Sequence, residues 1–158
     1  MNRVQRTIAE LGFTRDVPQM SPDDKVTRAL DAMCRDGHGS ILVVENNDLV
    51  GIFTSRDFLS RVAASRRDPA EVTLREVMTG RPEVLEPDDG LVYAINRMTA
   101  GGYRNVPIED ASGKILGIMT IWDVVRHLDD IFDDLRTPVG AGEDSEISGV
   151  TWIDTGGG

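Results

Sequence analysis

The segment Gly51-Ile52-Phe53-Thr54-Ser55-Arg56-Asp57 returns as Gly117-Ile118-Met119-Thr120-Ile121-Trp122-Asp123. A chain that uses Gly-Ile-x-Thr-x-x-Asp twice carries an internal repeat, and a repeat constrains the fold before any local propensity does. The match extends outward. Pro22-Asp23-Asp24 falls on Pro87-Asp88-Asp89, Ala29 on Ala94, Met33 on Met98 and Gly37 on Gly102. One residue is then inserted in the second copy's turn, after which the two motifs align. Leu30/Ile95, Ile41/Val106, Leu49/Ile115 and Val50/Leu116 keep apolar character. Two units are too few for a solenoid, so they are expected to pack on each other about a pseudo-twofold axis.

The rest of the chain reads in that frame. Val4, Ile8 and Leu11 recur at helical spacing before Gly12, which predicts a short amphipathic helix over residues 2–11, outside the repeats. Copy one begins with an extended piece near Val17–Met20, and Ser21-Pro22-Asp23-Asp24 suits a helix start. Val26, Ala29, Leu30, Met33 and Cys34 share a helix face that Gly37 ends. Ile41–Val44 and Leu49–Phe53, joined by Asn46-Asn47-Asp48, read as a hairpin. Phe58, Leu59, Val62 and Ala63 resume helical spacing. Residues 65–72 are polar, and Thr73-Leu74-Arg75-Glu76 fits a capping box. Copy two repeats the order: a strand near Glu83–Glu86, a helix near Asp89–Ala100, strands near Asn105–Glu109 and Ile115–Met119, and a longer apolar-faced helix. The expected divisions are 1–14 (N-terminal helix), 15–66 (repeat 1), 67–80 (linker), 81–135 (repeat 2) and 136–158. The last stretch, acidic and Gly-rich, lacks the apolar surface that offsets ordering entropy and is expected to be disordered. Its Val150-Thr151-Trp152-Ile153 cluster is the one apolar segment there.

The 158-residue chain has a formal net charge of -10. Residues 127–158 set one Arg against eight acids, so most of the excess lies beyond the repeats. A net acidic chain argues against nonspecific nucleic-acid binding, which needs clustered cations. It does not exclude a local basic pocket for one small anion. Cys34 is the single cysteine, so no internal disulfide is expected. Residues 1–6 lack a signal-peptide core, and no apolar run approaches membrane-spanning length; a soluble cytoplasmic protein is the default expectation.

In each motif the hydroxyl and carboxylate are three residues apart, on one face of a helix start. A carboxylate there can accept hydrogen bonds from both hydroxyls of a ribose, and the free N–H groups of a helix N-terminus favour phosphate. The same residues also suit capping of the following helix. Arg104, after Gly101-Gly102, and Arg56, inside the motif, are candidate phosphate donors or plain surface arginines. Trp122 replaces Arg56 in copy two. It is read as stacking on a base or, preferably, as covering the core between the copies, and the two sites are therefore expected to be unequal.

The order β-α-β-β-α used twice, each copy closed by Gly-hydrophobic-x-Thr-x-x-Asp, resembles a tandem pair of cystathionine-beta-synthase (CBS) domains, a Bateman module. Tyr103-Arg104-Asn105-Val106-Pro107-Ile108 resembles the family's lead-in to its second hairpin. Val77-Met78-Thr79 running toward Pro82 resembles the linker of many bacterial members. The resemblance covers roughly residues 15–130 and implies an α/β (α+β) fold of two such repeats. It also implies a regulatory, non-catalytic module that binds an adenosine-containing ligand (AMP, ADP, ATP or S-adenosylmethionine) between the copies. Such a module would alter the state of an unidentified partner protein and often form a homodimer. The ligand set it implies is Thr54, Arg56, Asp57, Ser40, Ile41, Arg104, Asn105, Val106, Thr120, Trp122 and Asp123. Ser40-Ile41 and Asn105-Val106 stand where the family's backbone meets the base, and are strand starts in any case. A ligand-free dimerising scaffold is the alternative.

Other chemistries find no support in the sequence. Cys34 and His38 are too few for a structural zinc site, and His127 has no evident partner. The methionines sit mostly at core spacing. Gly37-His38-Gly39 lacks a dinucleotide loop's third glycine. Neither a Gly-x-Ser-x-Gly elbow nor a His-Glu-x-x-His motif occurs. Asp129-Asp130-Ile131-Phe132-Asp133-Asp134 reads as a solvated helix face. No catalytic residue, metal site or cofactor is expected.

Overall fold

The computed structural model describes residues 6–135, with side chains through Phe132. The expected disordered tail and residues 2–5 of the expected N-terminal helix lie outside this range. Within it, helix α1 spans only Ile8–Leu11; Thr7 is extended, and its side chain caps the turn in a reciprocal box with Glu10. The helix is thus shorter than its apolar spacing suggests. The segment is held by tertiary bonds instead: Ile8 N–H donates to the Asp89 carbonyl and Ala9 N–H to that of Pro87.

In copy one, strand β1 (Gln19–Met20) runs parallel to β2 (Ser40–Glu45). The latter forms an antiparallel hairpin with β3 (Asp48–Thr54). Helix α2 (Val26–Asp36) lies between β1 and β2 and ends at Gly37. Its N-cap is Lys25, which makes no side-chain cap. The Ser21–Asp24 stretch instead closes its own turn, with Ser21 N–H donating to Asp24 Oδ2, while Asp24 pairs with Arg28 one turn on. Period-2 alternation divides the hairpin's faces. Ile41, Val43 and Phe53 join Val26, Ala29 and Met33 of α2 in the first core. Leu42 and Ile52 point the other way.

After β3 comes one α turn, α3 (Ser55–Asp57), which widens into a π-helical stretch over Phe58–Ala63. The linker then folds into α4 (Leu74–Val77). The predicted capping box is present: Thr73 N–H and Oγ1–H both donate to Glu76 Oε2, at 2.8 and 2.9 Å. These bonds, with the Arg67 guanidinium, hold the Glu76 carboxyl down at about 2, against 4.5 normally. A depressed folded-state pKa stabilises the fold above the unfolded value and ceases to do so as pH falls through the folded one. Glu76→Ala is therefore expected to lower stability at pH 7, with the gap to wild type narrowing between pH 4.5 and about 2; urea unfolding at these pH values measures it.

Met78 leaves α4 extended, and β4 (Thr79–Gly80) adds to the free side of β3, giving sheet order β1-β2-β3-β4. Copy two has α5 (Leu91–Gly101), the hairpin β5 (Asn105–Glu109) and β6 (Ile115–Thr120), and α6 (Ile121–Leu135). The strand expected near Glu83–Glu86 is reduced to one parallel bridge, Leu85 with Ile108, where β1 stands in copy one. On the other side, Arg15 bridges Ile118 as Thr79 bridges Ile52. The N-terminal segment thus takes, in copy two's sheet, the place the linker takes in copy one's. Ile8 lies in the second core, with Leu85, Leu91, Met98, Val106, Ile108 and Met119.

The two hairpins meet through Leu42, Ile52 and Ile118, with Val17, Val44, Leu49 and Ile115 around them. Burying each such side chain contributes on the order of 2 kcal/mol. No helix among the described residues is long and apolar enough to cross a membrane.

Candidate ligand-binding site

Both motifs form the same local device. Thr54 N–H and Oγ1–H donate to Asp57 Oδ2 at 2.9 and 2.8 Å, and Asp57 N–H returns to Thr54 Oγ1. In copy two, Thr120 N–H and Oγ1–H donate to Asp123 Oδ2, both at 2.7 Å. Asp57 and Asp123 are 6% and 5% exposed. The capping role open in the sequence is therefore present in both copies. One oxygen of each carboxylate is committed to it.

The other oxygen distinguishes the copies. Asp57 Oδ1 accepts from Thr79 Oγ1 at 3.0 Å and lies 3.3 Å from an Arg61 nitrogen. Asp123 Oδ1 accepts from Arg15 Nε at 2.7 Å and also pairs with the guanidinium's terminal nitrogen. Arg61 comes from the helical turn after Asp57, and Thr79 and Arg15 from the segment added beside each motif's strand. That segment approaches closely because the motif begins with glycine. A Cβ at Gly51 would meet Met78 Sδ at 2.3 Å, and one at Gly117 would meet the Arg15 carbonyl oxygen at 2.4 Å.

A cavity of about 440 Å³ opens at the first motif. Its walls come from three places: Thr54, Arg56, Asp57 and Arg61 after β3; Thr79, Gly80, Arg81 and Glu83 of the linker; and Gly101–Asn105 before β5. The volume lies in the range of small-molecule sites. Four guanidinium groups (Arg56, Arg61, Arg81, Arg104) face two carboxylates (Asp57, Glu83), a net of +2 within an acidic chain. Arg61 is engaged, donating to the Val77 and Met78 carbonyls at 2.8 and 2.6 Å. Glu83 pairs with Arg97. Arg56, Arg81 and Arg104 are exposed and in no ion pair among the described residues.

Of the residues singled out in the sequence, Thr54, Arg56, Asp57, Arg104 and Asn105 line this one cavity. Ser40, Ile41 and Val106 do not. Ile41 and Val106 are buried in the two cores, and Ser40 is buried at the start of β2. Thr120 and Asp123 belong to the second motif. Trp122 does not cover the core between the copies. It is 67% exposed on the outer side of α6, beside Val125, Leu128 and Phe132. Its position just after the strand end turns the indole away from both hairpins. His127, unassigned in the sequence, is buried edge-on against Phe13, with ring centroids 5.6 Å apart. Cys34 is exposed on α2, and His38 lies past the helix end. No group of three or more His, Cys, Asp or Glu is placed for a metal ion among the described residues.

Arg61, Thr79, Arg81 and Arg15 are the site residues that sequence reasoning missed. Arg61 sits one helical turn after Asp57, a spacing that marks side-chain neighbours. Thr79 and Arg81 lie in the linker already singled out. For Arg15 the sequence holds no signal, since only the crossing of the N-terminal segment brings it to Asp123.

Residues 8–64 and 74–130 each match the family model described as CBS domain, so the chain belongs to the CBS domain family and is a tandem pair of such domains. A curated relative, the uncharacterized protein MK0525 of Methanopyrus kandleri, is 33% identical over 113 residues, which cover 71% of this chain and 58% of that protein. In the other leading relatives the match covers 17%, 34% and 20% of their length, so the chain spans only part of the curated proteins it resembles. Among solved structures, a putative signal-transduction protein with CBS domains from Burkholderia ambifaria superposes with a TM-score of 0.74 at 26% identity, covering 85% of this chain and all of that one. The CBS domain pair of protein MJ0100, solved with 5'-methylthioadenosine and S-adenosyl-L-methionine, gives 0.71 at 19% identity, over 80% and 98%.

Proposed function

We propose that the chain is a non-catalytic cytoplasmic sensor that binds a phosphorylated adenosine, such as AMP, ADP or ATP, in the cavity at Thr54, Asp57 and Arg104, and so changes the state of a partner protein. The observation that carries this reading is the cluster of arginines beside the Thr54/Asp57 pair. Asp57 lines the cavity, and its Oδ1, which accepts from Thr79 Oγ1, has further lone-pair capacity for a ribose hydroxyl. Arg56, Arg81 and Arg104 supply planar donors for phosphate. A net positive cavity disfavours the sulfonium of S-adenosylmethionine. The MJ0100 pair supports only the adenosine part, since at 19% identity it shares the fold.

The cavity's three walls belong to copy one, the linker and copy two, so a ligand that touches all three ties them together. It shifts the population of inter-copy geometries by its differential affinity for them. Titration calorimetry with AMP, ADP, ATP and S-adenosylmethionine tests the proposal. The phosphorylated ligands are expected to bind at least about tenfold tighter than S-adenosylmethionine, one charge-assisted hydrogen bond sufficing for that ratio. Absence of heat with every nucleotide at millimolar concentration contradicts it.

Trp122, Val125, Leu128 and Phe132 form an exposed apolar strip on α6, which supports homodimerisation through that helix. Light scattering on a sizing column is expected to show a dimer that Phe132→Asp converts to monomer. The same strip favours the second reading, a ligand-free dimerising scaffold, for which a flat thermal-shift screen beside a persistent dimer would speak.

A further inference from the structure

The two clefts are built by the same elements in exchanged roles, so their walls can be compared position by position. The strand registers align Thr79 with Arg15, Thr54 with Thr120, and Ser40 with Asn105. It follows that Arg56 corresponds to Trp122, Arg61 to His127, Arg81 to Val17 and Arg104 to Gly39. None of the first cleft's four arginines has an arginine or lysine counterpart. The second cleft's permanent cation is Arg15, whose own counterpart is the neutral Thr79.

Arg15 is fixed by more than its ion pair. Its N–H donates to the Ile118 carbonyl, and the Ile118 N–H returns to the Arg15 carbonyl, both at 3.0 Å. Two residues earlier, Phe13 lies edge-on to His127, one helical turn beyond Asp123. Copy one has a parallel contact: Arg61, one turn beyond Asp57, holds the carbonyls of Val77 and Met78. The segment crossing each motif is thus gripped by the same two helical positions. In copy one Arg61 reaches Asp57 Oδ1 with a single nitrogen at 3.3 Å, whereas in copy two Arg15 meets Asp123 Oδ1 through both Nε and the terminal nitrogen.

We infer that Arg15 is the residue that closes the second cleft: the N-terminal segment places a guanidinium on Asp123 where the crossing segment of copy one places only the Thr79 hydroxyl on Asp57, so the chain carries one open adenosine site. The inference rests on the first-cleft reading for what an open site accepts. Arg15→Thr installs copy one's arrangement, with a hydroxyl in place of the guanidinium beside Asp123 Oδ1. With no arginine there to meet phosphate, adenosine itself is the suitable probe for the freed cleft.

The test is an isotope-edited NMR titration of the full chain with adenosine, wild type against R15T. In wild type, amide shifts are expected at Thr54, Thr79 and Asn105 and absent at Ser40, Thr120 and Asp123. In R15T the second set is expected to shift as well, with affinity there raised roughly 10- to 100-fold over wild type, the advantage of one charge-assisted pair. Arg15→Lys keeps the charge and is expected to behave as wild type. If circular dichroism shows R15T unfolded, Arg15→Gln, which keeps a hydrogen-bond donor, carries the same expectation. Shifts at the second set in wild type, or none there in a folded uncharged variant, overturn the inference. Shifts at the second set in R15T with none at the first in either protein uphold it and remove the first-cleft reading. No shift anywhere removes both.

Discussion

Gly117→Ala is expected to destabilise the fold by about 3 kcal/mol, the sum of backbone strain and overpacking. Gly117 has φ +151°, a region that L side chains rarely adopt. Its added Cβ would stand 2.4 Å from the Arg15 carbonyl oxygen and 2.9 Å from Thr14 Cγ2. The first of these is backbone, locked by the paired Arg15–Ile118 hydrogen bonds. Relief therefore requires the N-terminal segment to leave the sheet, taking Ile8 out of the second core. Gly51→Ala provides the control. Its Cβ would meet Met78 Sδ at 2.3 Å and Cγ at 3.0 Å, the mobile end of a flexible side chain, with the Thr79 carbonyl oxygen at 3.2 Å. Met78 can turn away, so a cost of about 1 kcal/mol is expected, at the low end of overpacking. Urea unfolding of both variants reads the difference. Equal costs would mean that the crossing segment is not held as described.

The second large effect concerns affinity. Arg104→Ala is expected to weaken ATP binding about 10- to 100-fold, the worth of one charge-assisted hydrogen bond to phosphate. Adenosine binding should change little, because the loss falls on the phosphate and not on the ribose. Arg104 is suited to this experiment because it is exposed and in no ion pair among the described residues. Its removal leaves no carboxylate stranded. Calorimetry with the two ligands separates the effects. Equal weakening of both would assign Arg104 a structural role, and no weakening of ATP binding would take it out of the site. Asp57→Ala is a less clean variant, because it also removes the Thr54 cap, a contribution of about 1 kcal/mol.

Most of the fold was legible because it is written locally. Both hairpins and helices α2, α5 and α6 follow from apolar period and turn residues, and the second copy repeats the helix and hairpin of the first. What the sequence did not reveal is nonlocal. The N-terminal stretch has helical spacing, yet Thr7 is extended and Ile8 belongs to a core made by residues 85–124. The motif glycines looked like punctuation. Their reason is a neighbouring strand contributed by a segment that lies 29 residues after the first motif's glycine (Gly80 beside Gly51) and about a hundred residues before the second (Arg15 beside Ile118). At the site, Thr54, Asp57 and Arg104 were legible because the repeat and the resemblance marked them. Trp122 was misread since helical phase, which decides that it faces outward on α6, depends on where α6 begins. Arg15 was invisible for the same reason as Ile8.

The proposed site is one arginine-lined cavity between the copies that takes a phosphorylated adenosine. Photo-crosslinking of the full chain with 8-azido-ADP, followed by peptide mapping, tests it most directly. The label is expected within residues 79–83 or 101–105, to be competed away by ADP, and to fall sharply in Asp57→Ala. Labelling confined to the exposed face of α6, or labelling that ADP does not compete, would contradict it.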